Sequence, residues 1–260
     1  MAVIDKELIE KITREVLEQI SKTVPSAQGI TSAGDAALNP ADLPKYIDHT
    51  LLKADAKPVD IEKLCNEAQQ YHFFSVCVNG VNVAQCAKLL AGSSVKVCSV
   101  VGFPLGAMSA KAKAYETSAV IEDGAREIDM VMNIGAMKAG NLKLVEEDMA
   151  AVRKACGSTA LLKVIIETCL LSTEEIINAC EIAKNTGLDF VKTSTGFSTA
   201  GATPEHVALM RKTVGPVMGV KAAGGVRSFD DAVGMIRAGA TRLGTSGGIS
   251  IIKGKTIKGY

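Results

Sequence analysis

Apolar residues recur at two different periods along the chain, and the change of period marks its organisation. Over residues 1–24 the period is helical: Ile4, Leu8, Ile9, Ile12, Val16, Leu17 and Ile20 fall on one face, and Asp5, Lys6, Glu7, Glu10, Lys11, Arg14, Glu15 and Glu18 on the other. Residues 25–42 carry no apolar period and are rich in Ser, Ala, Gly and Pro, which reads as a linker. A short amphipathic helix on such a tether cannot bury its own stripe. It must dock on the body, self-associate or bind another protein.

From Tyr46 onward, short β-like runs alternate with helical patterns. The runs are YIDHTLL, FFSVCV, VKVCSVV, EIDMVMNI, LLKVIIE, LDFVKTS, VMGVKAA and TRLGTS. Helical patterns start near Pro58, Val81, Ser109, Asn141, Thr173, Thr203 and Ser228, several with a capping residue and an acidic first turn. Gly124, Gly187 and Gly239 close three of them shortly before the next strand. Strands alternating with helices imply a parallel sheet, and eight such units predict a (β/α)8 TIM barrel over residues 43–260. A doubly wound open sheet fits less well, because no G-x-G-x-x-G follows the first strand.

Composition narrows the class. Of 260 residues, 47% are hydrophobic and 22% charged, so a large core is expected and general disorder is not. With Lys plus Arg at 29 and Asp plus Glu at 28, the net charge of +1 supplies no basic field for nucleic acid. Aromatic residues are only 4% and Trp is absent, which leaves little for base stacking. No run approaches the roughly 18 apolar residues of a membrane span. Seven cysteines, without a C-x-x-C pair and mostly inside apolar segments, read as buried thiols of a reducing, cytoplasmic compartment. The N-terminus does not read as a secretory signal.

Charged residues in the predicted strands carry the chemical argument. A parallel barrel strand is buried on both faces and should be apolar, yet Asp48, Asp129, Lys163, Glu167, Lys192 and Lys221 all fall within strands. Lys163, Lys192 and Lys221 are evenly spaced, one β/α unit apart, which places them at similar heights on strands five, six and seven. Asp129 falls on strand four and Asp48 on strand one. Buried charge is costly unless paired, so these groups are expected to neutralise one another around one cavity. Crowded, poorly solvated lysines favour the neutral amine. A neutral lysine attacks a carbonyl and forms a Schiff base, whose iminium accepts electrons from a breaking C–C bond, with no metal or organic cofactor needed. Spacing does not choose which lysine is the nucleophile.

Two glycine-rich turns form a second signal: AAGGVRS after strand seven, with Gly224, Gly225 and Arg227, and GTSGG after strand eight, with Gly244, Ser246 and Gly247. Such turns bring backbone N–H groups to an anion, and these two loops are the usual phosphate site of a barrel of this kind. His49, His72 and His206 lack metal-ligand spacing and read as structural. Cys77 on strand two reads as a buried thiol. Tyr260 is either a frayed terminus or a phenol carried to the site by a mobile tail.

Taken together, IDHTLLK, VCVN, VVGFPLGA, EIDMVMNIGA, LLKVIIETCLL, DFVKTSTGFSTAGAT, GVKAAGGVR and RLGTSGG resemble the deoxyribose-phosphate aldolases, bacterial class I aldolases, over Tyr46 to Tyr260. The resemblance implies a (β/α)8 barrel, often a homodimer, that interconverts 2-deoxy-D-ribose 5-phosphate with acetaldehyde and D-glyceraldehyde 3-phosphate. It implies Lys192 as the Schiff-base lysine, with Lys221 depressing its pKa, and Asp129 relaying protons with Lys221 through an ordered water. Asp48 and Lys163 would complete the charged network, and Tyr260 would assist proton transfer at the acetaldehyde carbon. Thr50, Thr195 and Cys77 would face the substrate, and Gly224, Gly225, Arg227, Gly244, Ser246 and Gly247 would hold phosphate. Some relatives carry a phosphate-binding lysine where this chain has Phe197, so that contact should be missing. Residues 1–24, outside this match, resemble the encapsulation peptides that recruit enzymes to a bacterial microcompartment shell. Two other readings stay open on the residues alone: a lysine-dependent aldolase for another sugar phosphate, and a non-catalytic scaffold that keeps the barrel.

Overall fold

The computed structural model describes residues 40–256. The predicted helix and most of the predicted linker, and Tyr260, lie outside them. Among the described residues, eight strands close into one barrel in chain order, each parallel to its neighbours. They are β1 (Ile47–Leu51), β2 (Ser75–Val78), β3 (Lys96–Val101), β4 (Glu127–Val131), β5 (Leu161–Ile165), β6 (Phe190–Lys192), β7 (Gly219–Ala223) and β8 (Arg242–Thr245). The intervening helices are α1 (Pro58–Gln70), α2 (Val83–Leu89), α3 (Ala110–Glu122), α4 (Ile134–Lys138), α5 (Leu142–Cys156), α6 (Thr173–Asn185), α7 (Pro204–Val214), α8 (Phe229–Arg237) and α9 (Gly248–Ile252). None of these helices is long and apolar enough to cross a membrane.

Local chemistry explains where the helices begin. Pro58 opens α1, where its missing N–H costs nothing, and Asp60 accepts from the Lys57 amide in the first turn. Ile61, Leu64, Cys65 and Ala68 then form the buried stripe at helical spacing. Ser172 and Glu175 cap α6 reciprocally, as do Ser228 and Asp231 at α8. Full burial of each large apolar side chain contributes roughly 1.5–3 kcal/mol, so the helices are held by their packing onto the barrel more than by propensity.

Three boundaries differ from the sequence expectation. Pro40 to Asp42, placed in the linker, belong to a 3-10 helix running to Tyr46 whose Leu43 is fully buried. The helix expected near Val81 begins as a 3-10 turn at Gly80–Asn82 before α2. Glu167, expected on strand five, lies past the end of β5 in a left-handed conformation (φ 56°), where it can fold back over the barrel mouth.

Outside the barrel, α3 and α5 are locked by a buried ion pair that the apolar pattern did not flag. Lys113 Nζ lies 2.7 Å from Asp148 Oδ2 and donates to the Val131 carbonyl at 2.8 Å. Asp148 Oδ2 also accepts from the Asn133 amide. This lock fixes the end of β4 and the β3–α3 loop above it, where the Gly102 amide donates to Glu116 on α3. In that loop Gly106 has φ 67°, and a Cβ added there would overlap the Met132 carbonyl oxygen. Gly106→Ala is therefore expected to destabilise the protein by about 2 kcal/mol or more. A urea midpoint equal to that of the wild type would contradict this backbone contact.

Candidate active site

Side chains alternate across each strand, so every second residue enters the barrel. The inward set includes Asp48 and Thr50 on β1, Ser75 and Cys77 on β2, Cys98 and Val100 on β3, and Glu127 and Asp129 on β4. Lys163, Lys192, Lys221 and Arg242 enter from β5, β6, β7 and β8. The ladder register joins these sets: Thr50 is opposite Cys77, Cys77 opposite Cys98, Asp129 opposite Lys163, Lys192 opposite Lys221, and Lys221 opposite Arg242. The expectation of three lysines at one height needs correction. Lys163 pairs with Phe190, two residues before Lys192, and the residue opposite Lys192 is Ile165. Lys163 therefore sits deeper in the barrel.

Six of these groups close a loop of alternating charge. Arg242 Nε contacts Asp48 Oδ1 at 2.8 Å, and Asp48 Oδ2 contacts Lys221 Nζ at 2.6 Å. Lys221 Nζ reaches Asp129 Oδ2 at 2.7 Å, and Asp129 Oδ1 reaches Lys163 Nζ at 2.9 Å. Lys163 Nζ contacts Glu127 Oε2 at 2.6 Å, and that same oxygen returns to Arg242 Nη2 at 2.5 Å. Three cations and three carboxylates thus balance, and no member is more than 4% exposed. Lys192 attaches to this ring from outside, with its Nζ 2.8 Å from Asp129 Oδ2. It is the last residue of β6 and so stands at the loop-bearing end of the barrel.

Burial alone would push the Asp129 carboxyl up, but Lys163, Lys192 and Lys221 override it and hold it well below the usual carboxylate range. Asp48 behaves alike, with Lys221 and Arg242 outweighing burial. Conversely, burial pulls Lys221 down while Asp129 and Asp48 hold it above its ordinary value, and Asp129 does the same for Lys163. The contact between Lys221 and Asp129 is direct, which corrects the expectation of a water between them. Cys77 and Cys98 place their thiols beside Asp129, the latter 3.2 Å from Oδ1. These three residues could together offer a metal ion three donors. Their only carboxylate already serves three ammonium groups, so the site is built for lysines.

Beside the ring, Leu52, Cys77, Cys98 and Val100 form a small apolar cluster with Phe103 packed on it. Thr195, just past β6, donates its hydroxyl to Glu167 Oε2, and its amide also lies 3.3 Å from both carboxylate oxygens. Burial pushes the Glu167 carboxyl up, opposed by those hydrogen bonds from Thr195. Thr50, partly buried at the top of β1, donates to the Asp48 carbonyl at 2.8 Å. Phe197 is 49% exposed and meets Phe103 edge to face at 5.2 Å.

The glycine signals divide. Gly224 and Gly225 follow β7 in left-handed conformations (φ 70° and 82°). Gly244 does not follow β8 but lies within it, and a Cβ there would lie 3.2 Å from Lys221 Cε, so Gly244 makes room for that lysine. The amides of Arg227 and Ser228 are both taken by Asp231 Oδ2, and the Gly247 amide donates to Thr245 Oγ1. Exposed Ser246, Gly225 and the Arg227 side chain remain facing solvent.

Sequence reasoning missed Glu127 and Arg242, which complete the ring, and did not assign Glu167 to the site. The first two were within reach. Glu127 and Asp129 in EIDMV, like Arg242 and Gly244 in RLGT, are two residues apart and so share a face.

Comparison with known proteins identifies the family. A family model described as DeoC/LacD family aldolase matches residues 43–254. A deoxyribose-phosphate aldolase of Geobacillus sp. (strain WCH70) is 61% identical over 215 residues, covering 83% of this chain and 96% of that protein. One from Streptococcus gordonii is 60% identical over 217 residues, covering 84% and 98%. Among solved structures, a putative deoxyribose-phosphate aldolase from Coccidioides immitis superposes with a TM-score of 0.81 at 36% identity, covering 97% of this chain and 98% of that one. A tetrameric deoxyribose phosphate aldolase from Aeropyrum pernix gives 0.77 at 33% identity, covering 92% and 96%.

The ring also sets a pH window for stability. Asp48 and Asp129 have depressed folded-state pKa values, so their contribution is present above the unfolded value of about 3.9 and is lost as pH falls through the folded one. Lys163 and Lys221 are raised, so theirs is present below about 10.4 and is lost as pH rises further. Urea midpoints should therefore hold between these limits and fall on both sides. Asp129→Asn, which takes the ion-pair partner from Lys192 and one of two from Lys163 and Lys221, should cost about 3–5 kcal/mol at neutral pH. A variant within 1 kcal/mol of wild type, by the criterion of an exposed pair, would show that Asp129 is not the hub.

Proposed function

The chain belongs to the DeoC/LacD family of aldolases, and from that membership we propose that it reversibly cleaves 2-deoxy-D-ribose 5-phosphate to acetaldehyde and D-glyceraldehyde 3-phosphate through a Schiff base at Lys192. The observation that carries this reading is the place of Lys192 relative to the closed ring of ion pairs. The ring is neutral without Lys192, and Asp129 already serves Lys163 and Lys221. Lys192 lies outside that closed ring, with Asp129 as its one ion-pair partner among the described residues and the buried Glu167 carboxylate facing it from the loop after β5. Lys192 is the lysine of the cluster that stands at the open end, as the last residue of β6.

The neutral Lys192 amine attacks the C1 aldehyde of the open-chain sugar, and loss of water gives the iminium. Removal of the proton from the C3 hydroxyl breaks the C2–C3 bond. C3 leaves as the aldehyde of glyceraldehyde 3-phosphate, and the electron pair moves through C2 into the iminium nitrogen as an enamine. Protonation at C2 and addition of water then release acetaldehyde and restore the amine. Asp129 and Lys221 are in hydrogen-bond reach of Lys192 or of each other and shuttle these protons, with Asp48 and Lys163 holding both in place. Tyr260, outside the described residues, assists at C2. The apolar cluster around Cys77 accommodates the two-carbon fragment. Thr50 and Thr195 hold the hydroxyls, and Gly224, Gly225, Arg227, Ser246 and Gly247 form the phosphate side. Phe197 contributes no charge there, which favours a weaker hold on phosphate.

Borohydride reduction in the presence of acetaldehyde should add one ethyl group to the wild-type mass and none to Lys192→Ala. Adduct formation in Lys192→Ala, or none in the wild type, would remove this mechanism. Residues 1–24 are proposed as a tag for a microcompartment shell, supported by their amphipathic pattern and following linker. Fusing residues 1–42 to a fluorescent protein should give puncta in a shell-forming host, and diffuse signal would end that reading.

A further inference from the structure

Glu127 and Arg242 take no part in the reaction above. Each is the first residue of its strand, so both lie at the barrel floor, at the end away from the substrate loops. The floor is closed beneath them by aromatic rings: the Arg242 guanidinium lies 3.5 Å from the centroid of Phe74 and 5.8 Å from that of Phe190. Both residues are nonetheless joined to the centre of the site. Glu127 reaches Asp129 through Lys163, and Arg242 reaches Lys221 through Asp48.

We propose that Glu127 and Arg242 are positioning residues that set, from the floor, how readily Lys192 gives up its proton. This rests on Lys192 being the reacting amine. The ring is balanced with both charges present. Without the Glu127 charge it carries one excess positive charge, which drives the proton off Lys192. Without the Arg242 charge it carries one excess negative charge, which holds that proton on. Water does not screen this interaction, because every ring member is buried and the floor is sealed. The groups that face Lys192 directly are Asp129 from β4, Lys221 from β7, Cys77 from β2 and Glu167 from the loop after β5. All of them remain when the floor pair is changed, so the floor's effect is separable from theirs.

The experiment is competitive acetylation with trace acetic anhydride as a function of pH, with Lys192 read by peptide mass spectrometry against an exposed lysine. Glu127→Gln should move the Lys192 labelling midpoint down by about one pH unit, and Arg242→Gln should move it up by about the same, a tenfold change in free amine at fixed pH. Arg242→Lys keeps the charge and should leave the midpoint within a few tenths of the wild type, whatever its thermal midpoint. A purely structural role would move both neutral variants the same way or not at all, and either outcome overturns the proposal. If Arg242→Gln does not fold, Glu127→Gln against Arg242→Lys still carries the sign. Labelling needs no substrate, so it reports on the floor even if the acetaldehyde adduct never forms. An adduct with unmoved midpoints would sink the floor's role alone.

Discussion

A buried carboxylate shared by three lysines is the constraint on which the rest of this structure depends. Asp129 cannot be fully buried and ionised without those cations, and they cannot be buried without further carboxylates. The barrel resolves this by closing the chain of pairs on itself, so that each ring member touches two partners of opposite charge. Because the partners come from β1, β4, β5, β7 and β8, the ring also ties together strands that are not adjacent. Gly244 belongs to the same constraint: a side chain there would crowd the Lys221 stem, so β8 must leave a gap at that height.

Much of the fold was legible in the chain. The alternation of β-like runs and capped helices was enough to predict a closed parallel barrel, and each predicted strand contains an observed one. The failures have separate physical causes. Equal spacing in sequence measures the length of a β/α unit, not the height of a residue in the barrel. The β5-to-β6 connection therefore set Lys163 lower than its spacing implied. Glu167 read as a strand residue because the apolar run extends to it, while the backbone turns left-handed at that point. Lys113 and Asp148 were missed because helix periodicity treats charged residues as outward-facing, and here both are buried on facing helices.

The site was legible to a different depth. In-strand charges pointed to Asp48, Asp129, Lys163, Lys192 and Lys221, all of which the structure brings together. Strand-initial Glu127 and Arg242 were not singled out. Without them the chain of pairs stays open, and Lys163, Lys192 and Lys221 look alike as partners of Asp129. With them the ring closes, and Lys192 stands outside it. The position that sets Lys192 apart from Lys163 and Lys221 therefore becomes visible only with two residues at the far end of the barrel.

Replacing a buried ionic network with apolar side chains of similar volume is often neutral or stabilising. The same substitution made here would break the chain of pairs through which Asp129 and its three lysines are held. The two ends of the barrel also differ in what they can tolerate. The floor is sealed by Phe74, Phe190 and Arg242, and its charges have no alternative partners. The mouth is built from turns with left-handed glycines and from side chains such as Thr50 and Thr195, whose hydroxyls already rest on protein acceptors. Changes at the floor reach the mouth only through the ion pairs of the ring, from Glu127 through Lys163 and from Arg242 through Asp48.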